Sequence, residues 1–265
     1  MVSGKFILIA AFLAGSSVVA AARPAHHRAA SPVRVAADIE AAVSSPARPA
    51  EQVKLDESRR PAEVLKFAGL KRGDMALDLF GGSGYYSEIM ARAVGPKGGV
   101  LAWLASAEVN PKTLDSWKAL KARQPNVGYF MTPNDALSLP ASSFDFAMIN
   151  INYHDTYWES ARFGFRRMEP DSFLKTLYQA MKPGGVVAVI DHVANPGGDV
   201  RQVADKLHRI DPAIIRSDWQ RAGFVLEGES NVLRNPADDH SKLVFDPSIR
   251  GKTDRVTYRF RKPAR

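Results

Sequence analysis

The sequence predicts an α/β fold, a doubly wound and mostly parallel sheet with helices on both faces. Three observations carry this. Apolar, strand-like runs alternate with helical patterns along the chain. Met75 to Gly84 reads M-A-L-D-L-F-G-G-S-G, an apolar run ending in glycines, and a helical pattern follows from Tyr85 to Val94. Phe144 to Ile151 is nearly continuous in apolar residues, as a strand covered on both faces should be.

The Met75–Gly84 stretch organises the rest. Glycine has no Cβ, so a ligand can lie against bare backbone there. The helix that follows aims its free N–H groups at the same place. In an open α/β sheet this first turn is the usual seat of a nucleotide-like molecule.

The remaining elements follow in order. Ala62–Ala68 is a helix with Pro61 at its start and Gly69 at its end. Val100–Leu104 and Val127–Met131 are apolar strands, and Pro111–Arg123 between them is helical. Phe173–Met181 is a helix closed by Lys182-Pro183-Gly184-Gly185, with the strand Val186–Ile190 beyond. Pro212–Ala222 is the last helix; Phe224–Leu233 and Arg255–Arg261 are the last strands. In the final strand Val256, Tyr258 and Phe260 alternate with Arg255, Thr257, Arg259 and Arg261, which predicts a basic outer face.

Before these elements come two other segments. Residues 1–22 read as a signal peptide, with Lys5, an apolar Phe6–Ala14 and a small-residue cleavage site at Ala20-Ala21-Ala22. They predict a periplasmic or otherwise exported protein with no stable membrane anchor after cleavage. Residues 23–50 are rich in Ala, Pro, Arg and Ser and read as a linker, with one short helix at Val35–Val43. The folded domain is then 51–265.

Composition narrows the chemistry. There is no cysteine among the 265 residues, which excludes disulfides, thiolate metal sites and a cysteine nucleophile. The net charge is +8, and from Lys242 onward eight basic residues face only Asp246 and Asp254. Without interleaved aromatics this reads as a solvated face, not a nucleic-acid surface.

Four segments in order carry a resemblance: Leu77-Asp78-Leu79 with Gly82-Ser83-Gly84, then Asn134 to Pro140, then Phe144-Asp145, then Lys182 to Gly185. Together they resemble the class I S-adenosylmethionine-dependent methyltransferases over about Glu51 to Pro263. Asn152-Tyr153-His154-Asp155, Ile190-Asp191-His192, His208 to Asp211 and Phe245 to Arg255 are most similar to a group of exported bacterial methyltransferases. The resemblance implies a seven-stranded Rossmann-like sheet, S-adenosylmethionine as cofactor and a small-molecule acceptor. It implies that Asp78 orders the glycine turn near the cofactor's amino-acid end. Gly82 and Gly84 would let backbone touch the cofactor, and Asp135 would accept from the adenine amino group.

Two positions depart from the family pattern. Phe80 stands where glycine is usual, so its ring either narrows the cofactor pocket or packs beneath the turn. Leu104 stands where the second strand usually ends in an acid that binds the ribose. Glu108 is the candidate replacement, with Ser106 behind it. Without one, each lost charge-assisted hydrogen bond is worth about 1.5–3 kcal/mol.

The candidate catalytic groups follow the fourth and fifth strands: Tyr153 and His154, then Asp191 and His192. Methyl transfer needs alignment of nucleophile and methyl group, and a base only when the nucleophile carries a proton. A histidine suits that role. Tyr153 would orient a substrate, and the aromatics Tyr157, Trp158, Phe163 and Phe165 would form either a lid or a satellite core. No metal is predicted. Asp191 and His192 are adjacent and would point apart on a strand, and no His-x-x-x-His pair supports a site with His154, Asp155 or His240. Two other readings remain open at this stage. One is an exported, non-catalytic small-ligand-binding protein on the same fold; the other is a nicotinamide-dependent oxidoreductase.

Overall fold

The computed structural model describes residues 32–264. The predicted signal peptide and the first part of the predicted linker lie outside that range. The described residues open with four helices, α1 (Pro32–Val43), α2 (Ala50–Val53), α3 (Asp56–Arg59) and α4 (Pro61–Ala68). Then come β1 (Met75–Leu79), α5 (Tyr85–Val94), β2 (Gly99–Ala105), α6 (Pro111–Arg123), β3 (Val127–Thr132) and β4 (Phe144–Asn150). The second half holds α7 (Pro170–Ala180), β5 (Met181–His192), α8 (Val200–Leu207), α9 (Pro212–Arg221), β6 (Val225–Glu229) and β7 (Arg255–Arg261).

The seven strands form one sheet in the order β3-β2-β1-β4-β5-β7-β6. The strands β1 to β5 pair in parallel, and β7 runs antiparallel to both β5 and β6. This is the doubly wound, mostly parallel sheet expected. Its strand order reverses between β1 and β4, so a crevice opens beyond their carboxyl ends, where open α/β sheets bind ligands. One apolar cluster fills each face. The first joins α1, α4, α5 and Trp117 to the sheet, and the second joins α7, α9, Phe80 and Trp103 to it.

Three expectations need correction. The helix expected at Val35–Val43 forms, running from Pro32, but it does not belong to a linker: Ile39 and Ala42 sit in the core against α4 and α5. An amphipathic stretch inside an Ala/Pro-rich segment buries its apolar side, so the folded part starts well before Glu51. The Lys182–Gly185 segment is not a simple turn. It is an irregular stretch of β5, where the register jumps from Phe144↔Met181 to Phe146↔Val186 and Gly184 takes φ +78°. The basic face of β7 is only partly solvated, with Arg255 buried and the Arg259 and Arg261 side chains 33% and 35% exposed. Arg255 donates to Ser58 O at 2.6 Å, and Arg259 donates to Phe67 O at 3.2 Å, beneath α3 and α4.

The glycine turn is fixed from both sides. Gly82 and Gly84 have φ of +52° and +87°, the left-handed region that favours glycine. A Cβ on Gly84 would also stand 2.6 Å from Leu120 Cδ2. The Trp117 indole N–H donates to Gly82 O at 2.8 Å and holds the turn against α6. Phe80 adopts the same left-handed conformation, φ +56°, which costs a bulky residue about 1–2 kcal/mol. Its ring is paid back by packing beneath the turn, 4.5 Å from Trp103 and 6.3 Å from Phe173 between centroids. Of the two roles open to Phe80, the structure selects packing.

Candidate functional site

Two cavities open at the crevice and share Ile151, His192, Val244 and Phe245 in their walls. The larger, about 800 Å³, lies among α3, the segment after β6 and the segment before β7. Arg59, Arg60, Arg234, Arg250, Lys252 and Arg255 line it against a single acid, Glu57. The smaller, about 410 Å³, is walled by Trp158, Phe163, Phe165 and Phe245 and floored by Glu108, His154, Asp155 and His208. Ile151 stands at the junction with φ +57°, a rare conformation for a β-branched residue. Its N–H donates to Ile190 O at 2.7 Å, which bends the chain off β4 and drops the next residues into the pocket. Such strain at a ligand cleft is a common mark of a working site.

His154 is the best-held of these groups. Both Asp191 oxygens serve it: Oδ2 accepts the His154 backbone N–H at 2.7 Å, and Oδ1 meets ring Nδ1 at 2.7 Å. That leaves Nε2 for the cavity, 3.3 Å from His208 Nδ1 and 3.3 Å from Asp155 Oδ1. Burial alone would lower the His154 pKa, but Asp155 and Asp191 outweigh it and raise it to about 9. Glu108 moves the same way, up to about 7, because the protein crowds its carboxyl and Asp155 lies near. His192 is driven well below the usual imidazole range by burial and by His154. Its Nδ1 lies 2.7 Å from Thr253 Oγ1.

The predicted site residues therefore divide. His154 lines the smaller cavity, and His192 lines both. Asp191 is wholly buried and acts on the site through His154 and the backbone N–H of His192, so it is a positioning residue. Tyr153 is corrected outright. Its ring is buried away from the cavity against Trp219, and its hydroxyl donates to Asp218 Oδ2 at 2.9 Å. Tyr157 joins the same Asp218 carboxylate, so only Trp158, Phe163 and Phe165 of the aromatic segment reach the pocket. The buried Asp78 carboxylate accepts from the hydroxyl and backbone N–H of Ser87, in the first turn of α5.

Glu108 lies in the wall of the smaller cavity, near Asp155 and His154. Leu104 is buried and lies against Gly81. Asp135 is exposed, pairs with Arg166 at 3.5 Å and lines a separate cavity of about 200 Å³. Sequence reasoning missed His208 and Arg255 as site residues. His208 is 54 positions from its partner His154, and no local spacing joins them.

Residues 56–197, more than half the chain, match the pattern of the ubiE/COQ5 methyltransferase family. The chain belongs to that family. A relative, the "Ubiquinone/menaquinone biosynthesis C-methyltransferase UbiE" of Neisseria meningitidis serogroup C, is 34% identical over 131 residues, 48% of this chain and 46% of that protein. The chain thus spans about half the length of the curated relatives it matches. Among solved structures, a SAM-dependent methyltransferase from Aquifex aeolicus has a TM-score of 0.55 at 23% identity, covering 81% of this chain and 98% of that one. The Haemonchus contortus phosphoethanolamine N-methyltransferase 2, solved with S-adenosyl-L-methionine, has a TM-score of 0.53 at 17% identity, over 77% of this chain and 52% of that one. The cofactor of this ubiE/COQ5-family protein is S-adenosylmethionine.

The residues at the glycine turn fit that cofactor's amino-acid end. The Cβ side of Gly82 faces open space, with nothing nearer than Phe80 O at 4.0 Å, so bare backbone is presented to a ligand. Gln52 donates to Ser83 O at 3.3 Å, and its buried Oε1 has no partner. An unpaired buried acceptor costs about 1–3 kcal/mol, which an ammonium group placed there would recover. The ribose end is poorer, because Leu104 replaces the usual acid.

Asp78 makes a pH prediction. Burial raises its pKa to about 6, with the Ser87 bonds opposing. Below the unfolded value both states are protonated and nothing is lost. As pH rises from about 4 to about 6 the unfolded carboxyl ionises first, so stability falls, by up to about 3 kcal/mol, and then levels. Asp78→Asn should therefore gain stability over the native chain at pH 7 but not at pH 4, read by denaturant unfolding. An equal difference at both pH values would remove the buried-carboxyl account.

Proposed function

We propose that the chain transfers the methyl group of S-adenosylmethionine to a flat, ring-bearing small molecule with an ionisable hydroxyl, seated in the 410 Å³ cavity. The observation that carries this is His154, locked by Asp191 at the switch point and opening into an aromatic-walled pocket. Trp158, Phe163, Phe165 and Phe245 would hold the ring by its faces. Glu108 would take the proton of its hydroxyl, and His154 would stabilise the oxyanion left behind. When bound, S-adenosylmethionine supplies an electrophilic methyl on a sulfonium. Gly82, Gly84 and Gln52 would hold its amino-acid end, and the pocket walls would exclude water from the reacting atoms.

The relative named above acts, by its name, in ubiquinone/menaquinone biosynthesis as a C-methyltransferase. A quinol-type ring is accordingly the first acceptor to try. The cationic wall of the larger cavity supports an acceptor that also carries an acidic group. The Lys5 and Phe6–Ala14 pattern supports an exported protein. The test is methyl incorporation from labelled S-adenosylmethionine into a panel of quinols and phenolic acids. Label in a ring-bearing product supports the reading. Label only in amines or thiols, or none with any ring, would refute it.

A further inference from the structure

His154 Nε2, Asp155 Oδ1 and His208 Nδ1 converge on one point in the wall of the smaller cavity. Their separations are 3.3 Å, 3.3 Å and 3.6 Å. Nitrogen and oxygen ligands at zinc-like bond lengths of about 2.0–2.2 Å, set at tetrahedral angles, stand about 3.3–3.5 Å apart. The triangle therefore matches one face of a tetrahedron around such an ion. We propose that His154, Asp155 and His208 bind a divalent transition metal of the zinc class, with its fourth position open to the cavity.

Independent features of the structure support this. Asp191 accepts from His154 Nδ1, which turns the lone pair of Nε2 toward the cluster; this is the carboxylate–histidine arrangement that orients metal-bound imidazoles. Asn152 Nδ2 donates to Asp155 Oδ2 at 2.8 Å and leaves Oδ1 for the ion. His208 is held at φ +50°, the left-handed cap of α8, and its ring is pinned between Trp158 and Phe245 at 5.1 Å from each. A cation at this point would be met by all three atoms at once. The carboxylates Asp155, Asp191 and Glu108 lie around this point, which favours a cation there.

The role of the metal rests on the acceptor reading above, although the site itself does not. An acceptor hydroxyl taking the fourth position would form an oxygen–metal bond. Its proton would pass to the Glu108 carboxylate, and the bound oxyanion would be stabilised for attack.

The experiment uses the full chain, freed of metal by chelation, and titrates it with Zn²⁺ by calorimetry and Co²⁺ by visible spectroscopy. One equivalent of Zn²⁺ should bind, and Co²⁺ should give the strong visible band of low coordination number. His208→Gly keeps the left-handed cap and should abolish both signals; Asp155→Asn serves if that variant misfolds. Asp191→Asn should weaken Zn²⁺ binding about 10–100-fold. No one-to-one binding, a weak six-coordinate cobalt spectrum, or Zn²⁺ affinity indifferent to His208→Gly would overturn the site. S-adenosylmethionine binding, measured on the same protein, is a separate readout, so loss of the metal site alone leaves the methyltransferase reading standing.

Discussion

Replacing His154 with Ala should lower methyl transfer about 100- to 10,000-fold while leaving S-adenosylmethionine affinity nearly unchanged. The reason is geometric. His154 is the group that Asp191 aims into the aromatic cavity, and the glycine turn that would hold the cofactor does not depend on it. The variant should still fold, because Asp191 keeps two backbone donors, the N–H groups of residues 154 and 192, each at 2.7 Å. Turnover and cofactor affinity, measured on the same preparation, check this. Unchanged turnover with lowered stability would make His154 a structural residue. His154→Gln, which retains a polar group of similar length, should recover little.

The largest loss of stability should follow Arg209→Met, about 3–5 kcal/mol. Arg209 and Asp238 have side chains that are 0% and 1% exposed, and the guanidinium meets both carboxylate oxygens, at 2.9 and 3.1 Å. It also donates to Val193 O and Lys242 O. Asp238 in turn accepts the backbone N–H groups of Asp254 and His240. This one pair ties the segment between α8 and α9 to the loop between β6 and β7, and Arg209 follows His208 directly in the chain. Breaking it strands a buried carboxylate and frees the wall that carries His208. Denaturant unfolding reads the loss. The double variant Arg209→Met/Asp238→Leu should recover much of it, because no unpaired charge is left. A single-variant cost below about 1 kcal/mol would mean that water replaces the guanidinium.

The fold was legible because it is written in local patterns. Alternating strand and helix periods, the glycine run at Gly81 to Gly84 and the apolar Phe144–Ile151 each report on neighbours in sequence. The helix α1 was legible at Val35–Val43, but Ala, Pro and Arg dominate its surroundings, and only its packing on α5 shows that Ile39 is core. The site was half legible. His154 and Asp191 follow strands, where an open sheet puts chemistry, and they do meet. Tyr153 follows the same strand, yet one residue's difference in direction sends it to Asp218. His208 and Arg255 could not be found, since each reaches the cleft through a tertiary contact with no sequence spacing behind it. The metal triangle was hidden for the same reason: the expected pair Asp191 and His192 does diverge, and the third ligand comes from the end of α8. Leu104 bears on the binding-protein alternative, but family membership and the bare Gly82 turn favour the enzyme, and they leave the oxidoreductase reading without support.

The most direct test of the central claim is a calorimetric titration of the chain with S-adenosylmethionine and S-adenosylhomocysteine. We predict one site per chain with micromolar affinity for at least one of them, which would show that Leu104 is tolerated at the ribose. Well-folded protein that binds neither at millimolar concentration would contradict the account.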